Sequence, residues 1–127
     1  MICGTNANGI KSKKESFKNL LNNKEPHVFM IQETKLSREN QIQCENYEVF
    51  ERVRKNKKGG GIMMGIRKDI QGTPVKVGPQ DEEVEILVVE LELKKITIRF
   101  ITGYGPQEDD SEDKINSFYC ALEEEIL

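Results

Sequence analysis

Val28-Phe29-Met30-Ile31 is an unbroken apolar run held between Pro26-His27 and Gln32-Glu33, and it limits the fold more than any other feature of the chain. The run is too short for a helix, and in a strand successive side chains point to opposite faces, so both faces of this strand must be covered. A helical pattern precedes it: Phe17, Leu20 and Leu21 repeat at helical spacing, Ser12-Lys13-Lys14-Glu15 has the form of a capping box, and Asn22-Asn23 with Pro26 supply the stop. A helix feeding a strand that is apolar on both faces is the pattern of an α/β sheet.

The remaining segments fit the same class. Residues 1–5 read as a short first strand, left through Asn6-Ala7-Asn8-Gly9, and residues 47–50 as another. Gly59-Gly60-Gly61 precedes an apolar strand at residues 62–66, with the glycines giving backbone flexibility at its start. Residues 84–93 are rich in β-branched and aliphatic side chains. Ile96, Ile98 and Phe100 then alternate with polar residues, which predicts an antiparallel pair with Lys94-Lys95 at its tip. Gly103-Tyr104-Gly105-Pro106 breaks the pattern, and Ile115, Phe118, Tyr119, Leu122 and Ile126 return to helical spacing. That last helix reaches Leu127 with no capping signal, which is expected of a domain that continues beyond it.

At 127 residues the chain is one domain or part of one. No apolar stretch is long enough to span a bilayer, and the first residues lack the form of a signal peptide, so an intracellular protein without a membrane partner is expected. Cys3, Cys44 and Cys120 have none of the close spacings of zinc or redox sites and read as buried free thiols. The net charge of −3 disfavours a phosphate-rich partner by itself. However, the charge is segregated. Arg52, Arg54, Lys55, Lys57 and Lys58 crowd one loop, and a bound cation would reverse the field of an acidic site.

Polar groups that the strand pattern does not require stand at three strand ends: Asn6 and Asn8, Glu33, and Tyr104. Sites in α/β proteins gather at such edges. Glu33 is the leading ligand for a hard divalent cation, Asn8 offers its amide oxygen, Asn6 can orient a phosphate or water, and the Tyr104 hydroxyl can donate to a phosphate oxygen. Each feature also has a plain reading. Asn-x-Asn-Gly and Gly-Tyr-Gly-Pro are common turn compositions, Glu33 can pair with Lys35 in solvent, and the basic loop is either a DNA-backbone contact or a solvated tip. His27 has no second His for a dyad, and Gly59-Gly60-Gly61 lacks the Lys-Ser or Lys-Thr of a phosphate loop.

Taken in order, Asn6-Ala7-Asn8-Gly9, residues 26–35 (PHVFMIQETK), residues 59–66 (GGGIMMGI) and Tyr104-Gly105-Pro106 resemble the endonuclease/exonuclease/phosphatase family across nearly the whole chain. The resemblance implies a four-layer α/β sandwich in the complete domain. For residues 1–127, an N-terminal part, it implies one mostly antiparallel sheet with flanking helices and an exposed face for a second sheet. It implies Mg²⁺, with Mn²⁺ as a substitute, held by Glu33 and Asn8. Asn6, Asn8, Glu33 and Tyr104 would form the catalytic set, Gln32 and Lys35 would support it, and Arg52, Arg54, Lys55, Lys57 and Lys58 would contact DNA.

Asn8 stands where abasic-site endonucleases carry Asp and looks more like the endonuclease domains of LINE-type retrotransposons, which implies DNA nicking, a nuclear location and an associated reverse transcriptase. No obligate protein partner is expected. The family's later Gly-Asp-x-Asn segment and Asp-His pair have no counterpart here. Two alternatives therefore accompany the endonuclease: a non-catalytic remnant or interaction module, and a phosphoinositide or sphingolipid phosphoesterase.

Overall fold

A computed structural model describes residues 1–54, 59–79, 84–105 and 110–126. The run at residues 28–31 becomes β2 (Val28–Gln32), with parallel β1 (Ile2–Asn6) on one side and antiparallel β4 (Ile62–Arg67) on the other; β3 (Tyr47–Arg52) completes the sheet beyond β4. Three more strands, β5 (Pro74–Val77), β6 (Ile86–Leu93) and β7 (Ile96–Gly103), form a separate antiparallel sheet in the order β5-β6-β7. Helix α1 (Lys14–Lys24) and helix α2 (Glu112–Ile126) complete the secondary structure.

Three apolar clusters stack these elements into four layers. Phe17 and Leu21 of α1 pack on Phe29, Ile31, Tyr47 and Met63 of the first sheet. The opposite face of that sheet, through Val28, Ile62, Met64 and Ile66, meets Leu87 and Val89 of β6. The outer face of β6, through Ile86 and Val88, is covered by Phe118 of α2. The α/β sandwich is thus the expected class, but the expected single sheet is two facing sheets with a helix outside each. The reason lies in β6, whose Ile86, Leu87, Val88 and Val89 are all at most 1% exposed. A strand apolar on both faces needs a layer on each side, the same rule that governs β2. β1 and β7 are edge strands that lie on the same side of the two sheets, because β7 packs against β2 while β6 packs against β3 and β4.

Several local details depart from the sequence pattern. Ser12 does not cap α1. A 3-10 turn at Lys11–Lys13 leads into the helix, and the N-cap is Lys13 without a side-chain bond. Ile10, 1% exposed, anchors the chain into the core there and tightens the entrance. The helix runs through Asn22-Asn23 to Lys24, and Glu25 closes it in the left-handed region (φ 44°) by donating its N–H to Leu21 O. Leu20 faces solvent. β5 has no strong sequence signal because it is short, half exposed and opens with a proline, which a sheet edge tolerates. The β6–β7 hairpin closes at Leu93 opposite Ile96 across Lys94-Lys95, as expected. Of the three thiols only Cys44 is buried, its pKa pushed up to about 11 chiefly by desolvation; Cys3 is half-buried and Cys120, on the outer side of α2, is exposed. Among the described residues no helix is long and apolar enough to cross a membrane.

β3 also carries a carboxylate into the protein. Glu51, 5% exposed, accepts the Asn40 N–H at 2.8 Å through Oε2, while Oε1 has no hydrogen-bond partner among the described residues. Burial raises its pKa above the ordinary 4.5, and Glu39 adds to the rise against the Asn40 bond and Lys76. The folded state therefore binds this proton more tightly than the unfolded chain, and ionised Glu51 costs stability at neutral pH. That cost falls away as pH drops through the raised value and is gone below about 4.5.

Two measurements check these points. Gly65 lies opposite Phe29, and a Cβ there would meet the ring at 2.0 Å; the ring cannot yield, because Phe17 and Tyr47 hold it edge-on at 5.3 and 5.1 Å. Gly65→Ala is expected to cost about 1–3 kcal/mol in denaturant unfolding, whereas Gly4→Ala, whose nearest neighbour is 3.7 Å away, changes stability by less than about 0.5 kcal/mol. In a urea series from pH 7 to 4.5, wild type gains stability relative to Glu51→Gln as pH falls; a constant difference would contradict the buried-carboxylate reading.

Candidate active site

β1 and β2 run side by side with Asn6 opposite Gln32, so the chain leaves both strands at one end of the sheet. The two exits stay laced beyond the last strand pair. Ala7 N–H donates to Gln32 O at 2.9 Å, Gly9 N–H to Glu33 O at 2.9 Å and Ile10 N–H to Thr34 O at 3.0 Å. The start of β4 holds the second exit from the other side, with Thr34 N–H donating to Gly61 O at 3.1 Å and Lys35 N–H to Gly60 O at 2.8 Å.

This lacing holds three residues in the left-handed backbone region: Asn8 (φ 47°), Glu33 (φ 57°) and Lys35 (φ 56°). The conformation costs an L-residue about 1–2 kcal/mol. Asn tolerates it, and here the Asn6 Oδ1 accepts the Asn8 N–H at 3.0 Å in an Asx turn. Glu33 and Lys35 are held in it by their neighbours' backbone bonds. The result is a convergence of side chains: Lys35 Nζ donates to Asn8 Oδ1 at 2.7 Å and lies 3.8 Å from Glu33 Oε1. Asn6, Asn8, Glu33 and Lys35 are thus brought together.

The donor chemistry of this cluster suits a hard cation. No group of three or more His, Cys, Asp or Glu side chains able to hold a metal occurs among the described residues. Magnesium, however, needs only one or two carboxylates, with water and substrate oxygens completing its shell. Glu33 and Asn8 supply one carboxylate and one amide oxygen, and both already face one positive charge, the Lys35 ammonium.

Gln32 and Tyr104 sit where the two sheets meet. Gln32 Nε2 donates to Thr102 Oγ1 at 3.3 Å, tying β2 to β7 through a threonine that is 5% exposed. Tyr104, just past β7, packs against the inter-sheet core and donates its backbone N–H to Glu85 O at 2.9 Å. The Arg54 guanidinium lies 5.9 Å from the centroid of its ring.

Arg52 and Arg54 of the basic segment both make contacts within the protein. Arg52 turns inward and donates to three backbone carbonyls, Val84 O at 2.9 Å, Ile86 O at 2.8 Å and Pro79 O at 2.7 Å, clamping β3 to the second sheet. Arg54 pairs with Glu85, whose hydrogen bond raises the arginine's pKa further above its ordinary range. Lys55, Lys57 and Lys58, with Pro106 of the Tyr-Gly-Pro turn, lie outside the described residues.

Glu85 is the residue that sequence reasoning misses. It is one acid among many in the sequence, and in the fold it lies just before β6, 8% exposed, held by Arg54, the Gly61 N–H and the Tyr104 N–H. The glycines are also more than flexible. A Cβ on Gly60 would stand 2.3 Å from both Arg54 Nε and Glu85 Oε1, and one on Gly61 would stand 2.4 Å from Thr34 Oγ1. A concavity of about 870 Å³ at the opposite end of the first sheet, lined by Lys18, Glu25, Cys44 and Arg67 among others, contains none of the expected site residues.

No protein-family profile matches the chain, and no curated protein matches its sequence. Solved structures do match. A 3′ phosphatase, NExo, from Neisseria bound to product DNA hairpin superposes with a TM-score of 0.71 at 17% identity, over 98% of this chain and 50% of its own. The catalytic domain of Xenopus laevis APE2 gives 0.71 at 17% identity, over 95% and 51%. The endonuclease domain of TRAS1, a telomere-specific non-LTR retrotransposon, gives 0.68 at 15% identity, over 95% and 51%. The fold is that of the endonuclease/exonuclease/phosphatase proteins, and the chain spans about half the length of the structures it matches.

Gly61 is the test of this framework. Its φ of +89° and the buried Thr34 hydroxyl beside it leave no place for a side chain. Gly61→Ala is expected to cost about 2 kcal/mol or more in chemical denaturation. Gly59→Ala has a similar φ (+87°) but its nearest neighbour is 3.6 Å away, so it should cost less; equal effects would place the constraint in the backbone alone.

Proposed function

We propose that the chain carries the metal-side portion of a phosphodiesterase site that acts on DNA in the manner of a retrotransposon endonuclease. The observation that carries this reading is the convergence of two oxygen donors, the Glu33 carboxylate and Asn8 Oδ1, on one cation at the shared exit of β1 and β2. Strained residues held by an over-determined backbone mark functional sites more often than structural ones. Similarity in fold to nucleases, one of them with product DNA, supports the substrate class. Asn8 supports the retrotransposon type.

In this reading Glu33 and Asn8 would hold Mg²⁺, or Mn²⁺ in its place, and the ion would neutralise charge on the phosphate. Asn6 fixes the Asn8 backbone through the Asx turn and so helps to place the Asn8 side chain beside Glu33 and Lys35. Lys35 gives up its place between the two donors and remains beside them as a cation for a non-bridging phosphate oxygen. Gln32 keeps the exits of β2 and β7 in fixed relation, and the Tyr104 hydroxyl donates to the phosphate as charge builds up. The water-orienting Asp and the Asp-His pair that the resemblance puts in a later segment have no counterpart among these 127 residues.

The expected result is that Mn²⁺ binds the folded chain, measured by its electron paramagnetic resonance signal, and is displaced by Mg²⁺. Glu33→Ala should weaken binding about tenfold or more while the thermal midpoint is kept. In a polypeptide extended with a segment that carries the water-orienting Asp and the Asp-His pair, supercoiled plasmid should be nicked in a Mg²⁺-dependent way that Glu33→Ala abolishes. Nicking that survives Glu33→Ala overturns the site, and a folded chain that takes up no Mn²⁺ favours the non-catalytic remnant.

A further inference from the structure

Glu85 makes more connections around the site than any role in packing requires. Its backbone carbonyl accepts the Tyr104 N–H at 2.9 Å. Its carboxylate accepts Arg54 Nε at 2.8 Å and Nη2 at 2.5 Å, a two-point contact that fixes the guanidinium plane, and it also accepts the Gly61 N–H at 3.2 Å. Arg54 so held places its guanidinium carbon 5.9 Å from the centroid of the Tyr104 ring. The same glycine segment passes the connection onward, since Gly60 O and Gly61 O accept the backbone N–H groups of Lys35 and Thr34.

From these contacts we infer that Glu85 is a positioning residue for Tyr104: it holds the tyrosine's backbone directly and its ring through Arg54, in fixed relation to the glycine segment that carries residues 33–35. The alternative, a salt bridge that only stabilises, does not require the same residue to hold both the backbone and the ring of one tyrosine. A carboxylate with a 10% exposed side chain also loses hydration on burial, and it is retained here with three donors around it. Arginine suits the intermediate place because its planar group pairs with a carboxylate along one edge while presenting a face to an aromatic ring. Gly60 must lack a side chain for the pair to form at all.

The inference rests on the reading of Tyr104 as a phosphate-side group, and two independent readouts let the two fail separately. In the chain labelled with [13C]tyrosine, Glu85→Gln and Arg54→Met should each shift or broaden the Tyr104 ring signals, assigned by their loss in Tyr104→Phe, and leave those of Tyr47 unchanged. Arg54→Met guards against a Glu85 variant that fails to fold, since the Arg54 side chain is 27% exposed. In Mg²⁺-dependent nicking by the extended polypeptide, Glu85→Gln should lower kcat about tenfold with KM within about twofold, and should cause no further loss in the Tyr104→Phe background. Unchanged Tyr104 signals in both variants overturn the inference, as does a loss that multiplies with that of Tyr104→Phe. If the chain does not bind Mn²⁺ and the extended polypeptide does not nick, the phosphodiesterase reading falls, and the ring spectra alone decide whether Glu85 positions Tyr104.

Discussion

β2 is enclosed on its edges and faces, with only Met30 and Gln32 partly exposed. Its edges are filled by β1 and β4, one face lies under α1 and the other under the second sheet, and Val28, Phe29 and Ile31 are each 2% exposed. Full burial of such a side chain contributes roughly 2 kcal/mol, so these three together are comparable with the net stability of a whole domain, about 5–15 kcal/mol. Every other element is placed relative to this strand. α1 is located by Phe17 against Phe29, β4 by the absence of a side chain at Gly65, and β7 by the Gln32 contact with Thr102.

That rigidity is what the site draws on. Asn8, Glu33 and Lys35 occupy backbone conformations that an isolated peptide would leave at once, and they persist because each flanking amide is bonded to a neighbouring strand exit. The stable end of β2 and the strained residues after it are parts of one arrangement. A loop with the same side chains and no such anchor would spread Asn8, Glu33 and Lys35 apart, and the two oxygens would not face one cation.

How much of this could be read in advance depends on whether a feature is local. β2, β4 and the β6–β7 hairpin follow from apolar runs and one turn, because alternation and burial are written within a few residues. The Asn6, Asn8 and Glu33 strand ends are legible for the same reason. The pairing of strands into two sheets is not, since it depends on β6 being covered twice and on β5, whose Pro74-Val75-Lys76-Val77 carries almost no pattern. Glu85 and Arg52 are least legible of all. Both look like solvated charge in sequence, and both turn inward because a partner 27 to 34 positions away supplies their hydrogen bonds.

Charge gives the last link between fold and proposed reaction. The chain is acidic overall, yet the described basic residues nearest the site are already paired with protein groups: Arg52 with carbonyls, Arg54 with Glu85, Lys35 with Asn8 and Glu33. Among the described residues a phosphodiester approaching this end would meet few uncompensated cations, and charges are screened beyond about 8 Å at physiological salt. A divalent ion held by Glu33 and Asn8, as proposed, would change that balance locally, because it would place two positive charges where only one ammonium stands and free Lys35 for the substrate. On the proposed reading, phosphate binding and metal binding are then a single coupled event, and the net charge of −3 poses no obstacle to it.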